Sequence, residues 1–326
     1  MRVIKCIAWT FAWLVAFICA TWAFGALYFD STGAFAAILF VIALLAIIIF
    51  VRGKLLKLAI VFGAFAVVVA WWLTLKPSND EAWQPDVAQT AWADINGDEV
   101  TIHNVRNCDY RTATDFTPRW ETRTVRLSQL EGMDLAINYW GSPWISHPIV
   151  SFQFTDALPL CFSIETRKTI GETYSAVRGF YRQYTLIYVA SDERDVIRVR
   201  TNYRRGEDVY LYRTLASPEQ ARTRFLEYIR AMNRLHEHPR WYNAVTANCT
   251  TAIRAQRAVH KRAPWDWRML INGTADEMLY DDHAIATGGL PFAELKRRSL
   301  INQRAHAADQ DPDFSRAIRE GLPQGN

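Results

Sequence analysis

Trp241-Tyr-Asn-Ala-Val-Thr-Ala-Asn-Cys-Thr-Thr-Ala-Ile-Arg254 decides how the rest of the chain is read. An aromatic, turn-rich approach delivers Cys249 to the start of a predicted helix. Asn248 suits the N-cap, Thr250 and Thr251 suit a first turn, and Ala252 to Val259 continue with helix formers and apolar spacing. A thiol at such a start feels unpaired N–H groups and the positive end of the helix dipole. Both lower its pKa toward the thiolate, the nucleophilic form. A cysteine nucleophile needs a base and an orienting group, neighbours in space rather than in sequence. The same pattern also suits a small buried hydrophobe, the common role of a lone cysteine.

The N-terminal quarter has a different character. Residues 6–29, 31–51 and 58–75 form three apolar stretches free of charge. Each matches the roughly 17–25 residues that cross a hydrocarbon core, so 1–76 reads as three transmembrane helices. The first run is too long for a signal peptide and lacks a convincing cleavage site, so it is read as uncleaved. Arg2 and Lys5 precede the first stretch, and Arg52, Lys54 and Lys57 separate the second and third, whereas the first turn carries Asp30. The positive-inside rule then puts the N-terminus in the cytoplasm and everything after the third span on the far side. In a bacterium this means a multi-pass inner-membrane protein with a periplasmic C-terminal domain, its partner being the lipid bilayer itself.

From Ala82 onward the composition is that of a soluble domain, long enough to bury a full core. The formal excess of +4 comes from the basic residues of 1–76; beyond them 31 basic residues face 32 acidic ones. No nucleic-acid footprint is present. Alternating patterns predict strands at 99–106, 122–127, 133–140, 149–154, 160–167, 179–190, 195–201 and 208–213. A helix is expected from Pro218 to about His236, and 301–326 reads as a loosely ordered polar tail. The fold class is therefore α+β, a 77–300 domain with an antiparallel sheet and a cysteine-bearing helix.

His147 stands at the mouth of one strand of a predicted hairpin, and Ser163, Glu165 and Arg167 share a face of the other. Glu165 is then placed to hold the imidazole in the tautomer that accepts a thiol proton, though a solvated polar face explains the same pattern. His236 and His238 point apart at a helix end, with no pattern completing a metal site, and neither metal nor cofactor is expected. Cys108 and Cys161 are a candidate disulfide in an oxidising compartment.

Several of these segments resemble a known family. Ser146-His147-Pro148 with Ser151 to Phe154, Phe162 to Arg167, Phe180 to Tyr184, Asp192 to Asp195, Val209 to Tyr212, and Tyr242-Asn243 through Asn248 to Thr251 look like the Lnb N-terminal periplasmic domain family, over about 97–259. That family is similar to the circularly permuted branch of NlpC and papain-like thiol enzymes, in which the histidine strand precedes the cysteine helix. The resemblance implies a permuted papain-like domain with Cys249 and His147 in the motif positions and Glu165 as orienter. It also implies acyl transfer, since a member is implicated in N-acylation of lipoproteins from a phospholipid donor. In that member a multi-span region follows the domain; here apolar stretches precede it.

The expected chemistry is a cysteine-dependent acyltransferase or hydrolase acting through a Cys249 thioester on phospholipid or lipoprotein groups. Asn248, Trp241, Tyr242 and Trp144 are assigned to substrate binding, and Trp140, Trp265 and Trp267 are further candidates for an apolar cleft. The alternatives are a cell-wall peptide or amide hydrolase and a non-catalytic, membrane-tethered binding domain.

Overall fold

A computed structural model describes residues 2–31, 33–256, 266, 268 and 272–324, in two compact units. The first comprises Met1–Ser78, Thr173–Thr185 and Arg240–Ala244. Its apolar stretches form α1 (Arg2–Asp30), α2 (Ala34–Phe50) and α3 (Lys54–Thr74). Gly33 and Gly53 precede α2 and α3 with φ of 133° and 96°, left-handed turns that glycine adopts without strain. By length and composition, Val3–Asp30 and Lys54–Thr74 are long and apolar enough to cross a membrane; Ala34–Phe50 is a shorter apolar helix.

Thr173–Thr185 belongs with these helices, a grouping the sequence did not announce. Asp30 accepts hydrogen bonds from Trp72 Nε1 (2.7 Å), Gln183 Nε2 (2.7 Å) and the Arg182 amide (3.2 Å). The Arg182 guanidinium stacks 3.9 Å from the Trp72 ring centroid. Tyr181 packs on Trp22 and Phe29 and covers Gly25 so closely that a Cβ there would sit 1.9 Å from the phenol oxygen. Arg240–Ala244 joins the same unit: Trp241 Nε1 donates to Leu75 O, the Tyr242 amide to Tyr184 O, and the Ala244 amide to Gly179 O.

The second unit holds Asn79–Glu172, Leu186–Pro239 and Val245–Asn326. Its strands are β1 (Trp92–Asn96), β2 (Glu99–Arg106), β3 (Asp109–Tyr110), β4 (Phe116–Thr117), β5 (Trp120–Arg126), β6 (Leu130–Trp140), β7 (Ser146–Phe154), β8 (Leu160–Arg167), β9 (Thr185–Ser191) and β10 (Glu207–Arg213). β9 opens at Thr185, where the Thr173–Thr185 segment of the first unit ends. The sheet runs β1-β2-β9-β8-β7-β6-β10, with β5 on β2 and a separate β3-β4 pair. It is mixed rather than antiparallel, because β9 meets β2 in parallel at Arg106 and Ser191, with no hairpin between them to reverse direction. β7 and β8 are antiparallel, with Ile149 opposite Ser163 and Ser151 opposite Cys161.

Helices cover both faces. α5 (Pro218–Glu237) starts with a capping box at Ser217 and Gln220 and lays Phe225 and Tyr228 on Phe152 and Phe162. On the other face, Ile149, Cys161, Val209 and Leu211 pack with α4 (Glu193–Val196) and the C-terminal segment. The remaining helices are α6 (Cys249–Ala255), α7 (Ala275–Asp281), α8 (Phe292–Ser299), α9 (Asn302–Ala307) and α10 (Phe314–Ala317).

Four expectations need correction. Residues 195–201, expected as a strand, are the end of α4 and a π turn at Val199–Tyr203. Asp192 caps α4, and its acidic side chains are taken up internally: Asp195 by Arg106, Glu193 by Arg319 and Ser151, Asp192 by Arg123. The expected strand 179–190 is a short turn at Arg178–Phe180 followed by β9. The 301–326 tail is no loose appendage, since Ile301, Ala305, Ala308, Phe314, Ile318 and Leu322 are buried in the core. Cys108 and Cys161 are both free and buried in different apolar clusters.

Candidate active site

α6 begins where the sequence placed it. Asn248 Oδ1 accepts from the Thr251 amide (2.9 Å) and Thr251 Oγ1 accepts from the Asn248 amide (2.9 Å), a reciprocal cap that fixes Cys249 as the first helical residue. Asn248, read as a substrate contact, therefore spends its carbonyl on the cap. Arg224 donates to Ile253 O and Gln256 Nε2 to the Tyr188 hydroxyl, tying α6 to α5 and β9. α6 also packs against β7 and β8, the strands that carry His147 and Glu165.

The pleat puts His147, Ser163 and Glu165 on the face of β7 and β8 opposite Phe152 and Phe162. Their side chains form a continuous line. His147 Nε2 lies 2.7 Å from Ser163 Oγ, Ser163 Oγ donates to Glu165 Oε1 (2.7 Å), and Arg200 Nη2 donates to the same oxygen (2.8 Å). His147 is 8% exposed and Ser163 fully buried. The π turn delivers Arg200, whose Nη1 is held by Val196 O. The ring of Trp140 stands edge-on to His147, with centroids 6.3 Å apart.

Electrostatics follow from this burial. Loss of water, reinforced by Arg200 and Arg204, lowers the His147 pKa to about 3 against the partial support of Glu165. Burial pushes Glu165 upward, but Arg200, Arg106 and His147 outweigh it and hold the carboxyl well below the usual range. The Cys249 thiol departs from the sequence reading. Burial raises its pKa, partly offset by Thr250 and reinforced by the charge of Glu165, and the helix start does not overcome this. At neutral pH the three groups rest as thiol, imidazole and carboxylate.

Of the other assigned residues, Trp144 is exposed in the turn between β6 and β7, where its carbonyl accepts from the Gly273 amide. A Cβ on Gly273 would come within 2.1 Å of Pro143 O, so that close approach requires glycine. Trp241 and Tyr242 lie in the first unit, Tyr242 beside Tyr174 and Tyr184. Trp265 and Trp267 fall outside the described residues. Arg167 serves structure: it stacks on Trp83 and donates to Val87 O, Ala88 O and Asn79 Oδ1. His236 bonds Thr90, and His103 stacks on Trp92. Among the described residues no group of three or more potential ligands gathers around a metal position. Sequence reasoning missed Ser163 and Arg200; the signal for Ser163 was its sharing a strand face with Glu165.

Fold and site together define an α+β domain that follows an apolar helical region and carries a buried histidine–serine–glutamate line beside a cysteine helix. Residues 116–273 match the family model of the Lnb N-terminal periplasmic domain. The match spans β4 through α6 and ends at Gly273, compared with the 97–259 suggested by the motifs. No curated protein and no solved structure matches the chain.

Proposed function

We propose that the chain is a membrane-anchored, periplasmic, cysteine-dependent acyltransferase or hydrolase that works through a thioester on Cys249. The observation that supports it is the buried line from His147 to Glu165 on the two strands against which the cysteine helix packs. The fold we infer is a circularly permuted papain-like domain, with the histidine strand before the cysteine helix. α1, α2 and α3 serve as three spans, N-terminus cytoplasmic, holding the domain at the outer face of a bacterial inner membrane, where phospholipids and lipoproteins lie.

Thiol and imidazole are both neutral at rest, so proton transfer accompanies attack. The Cys249 sulfur bonds to an ester carbonyl carbon while its proton passes to His147, and the carbonyl becomes an oxyanion. Collapse breaks the ester C–O bond, His147 returns the proton to the departing alcohol, and the thioester remains. An incoming amine or water attacks that thioester, loses its proton to His147, and releases the thiol. Trp140 supplies apolar surface beside the base, which favours amine over water.

The test is turnover by full-length protein in phospholipid nanodiscs carrying a labelled acyl chain. An acceptor peptide with a lipidated N-terminal cysteine is offered in one arm and purified peptidoglycan in the other. Transfer or lipid hydrolysis lost in Cys249→Ala supports the proposal. Cleavage of peptidoglycan alone makes the chain a cell-wall hydrolase, and no turnover of either makes it a binding domain.

A further inference from the structure

Resting on that reading, we propose that Ser163 is a positioning residue that selects Nδ1 of His147 as the catalytic base by relaying the charge of Glu165 to Nε2. The argument is a count of hydrogens. A serine hydroxyl has one hydrogen to give and lone pairs to accept with. Its two polar contacts here are Glu165 Oε1 and His147 Nε2, both at 2.7 Å. Arg200, which can only donate, contacts the same carboxylate oxygen at 2.8 Å and keeps the carboxylate an acceptor. The serine hydrogen therefore points to Glu165, since otherwise lone pairs would face each other at 2.7 Å in a buried place. Ser163 Oγ is then left to accept, and the group that donates to it is Nε2–H of His147. A neutral imidazole has one N–H, so Nδ1 carries the lone pair.

The sequence alone permits a direct Glu165–His147 pair, and the register makes it tempting because the two stand opposite each other when the β7–β8 ladder is extended. The structure inserts Ser163 between them. That arrangement keeps a full carboxylate two hydrogen bonds away from the imidazole. When Nδ1 takes the thiol proton, the new positive charge is felt by Glu165 through the relay, and Nε2–H stays bonded throughout. The other charged groups acting on the ring, Arg200 and Arg204, are cationic and oppose its protonation. Removal of the serine oxygen leaves Nε2 and Glu165 without their shared partner, and both tautomers become available.

The tautomer is measured directly on full-length protein in phospholipid nanodiscs with 15N-labelled histidine, from two-bond 15N–1H couplings. His147 is identified by the signals lost in His147→Gln. The wild type is expected as the Nε2–H form and Ser163→Ala as a mixture. In parallel, acylation of Cys249 by a fatty-acid activated ester is followed from pH 5 to 9. Ser163→Ala is expected to slow it about ten- to hundredfold, the range typical for loss of a group that orients a functional histidine. Ser163→Thr, which restores a hydroxyl, is expected to recover both tautomer and rate, with thermal unfolding as the check that each variant is folded. An Nδ1–H form in the wild type, or an unchanged tautomer and rate in folded Ser163→Ala, overturns the proposal. His147→Ala separates the two claims: if it leaves acylation intact, the reading of His147 as base fails, while the tautomer result still decides the role of Ser163.

Discussion

Replacing Asp195 by alanine should destabilise the second unit severely without touching the chemistry of Cys249. Asp195 is fully buried and Arg106 is 2% exposed. The Arg106 guanidinium donates to Asp195 at 3.0, 3.1 and 2.6 Å, and the Cys108 amide adds a fourth bond at 2.7 Å. Truncation leaves a guanidinium away from water with Asp86 O as its remaining bond, and the Cys108 amide without its acceptor. Breaking a buried pair in this way costs about 3–5 kcal/mol. For a domain of this size each kcal/mol moves the melting point about 2–4 °C, so the loss should be roughly 6–20 °C. The Arg106→Met/Asp195→Leu double variant should regain most of it, because no buried charge is left, short of the roughly 1–3 kcal/mol for the orphaned amide. Melting followed by near-ultraviolet circular dichroism in nanodiscs measures both variants, and Cys249 labelling of Asp195→Ala, which keeps Arg106, should match wild type at 20 °C. A shift under about 1 kcal/mol for Asp195→Ala, or a double variant as weak as the single one, would refute the reasoning.

Other outcomes follow from the same structure. Phe314→Ala, which empties a fully buried site in the C-terminal segment, should cost about 3–5 kcal/mol, whereas a loose tail would tolerate it; chemical denaturation distinguishes the two. Gly25→Ala should expel the Tyr181 ring and raise hydrogen exchange at the Arg182 and Ala244 amides, and unchanged protection there counts against the packing of Thr173–Thr185 in the first unit. The folded pKa of His147, about 3, lies below its ordinary 6.5, so the unfolded chain binds more protons between those values. The resulting stability, up to about 5 kcal/mol, is present above pH 6.5 and lost as pH falls toward 3. Melting from pH 7 to 5 should therefore fall more steeply for wild type than for His147→Gln, and parallel curves would contradict a buried neutral imidazole.

Local periodicity made the β7–β8 hairpin, α5 and the cap of α6 legible, because each is set by neighbours in sequence. Residues 192–203 were not legible in that way. Ile197 and Val199 alternate with Arg198 and Arg200 as in a strand, yet Arg106 and Arg319 satisfy the acidic side chains from distant parts of the chain and favour a helical turn. The C-terminal segment misled for a related reason: α9 and α10 are too short to show a helical repeat, and each buries one residue, Ala305 and Phe314, in the core. At the candidate site, Cys249, His147 and Glu165 came from residue chemistry and resemblance. The role of Ser163 depends on two 2.7 Å contacts that no strand pattern encodes. The lowered thiol pKa expected from the helix start was outweighed by burial, a property of the folded surroundings.

The most direct test is intact-protein mass spectrometry after wild type, His147→Ala and Cys249→Ala, each in a bilayer, meet a lipid-like activated ester. A single acyl adduct mapped to Cys249, strongly reduced in His147→Ala and absent in Cys249→Ala, is the predicted result. A Cys249 that stays unmodified while its thiol is shown to be free, or one acylated equally well without His147, would contradict the account.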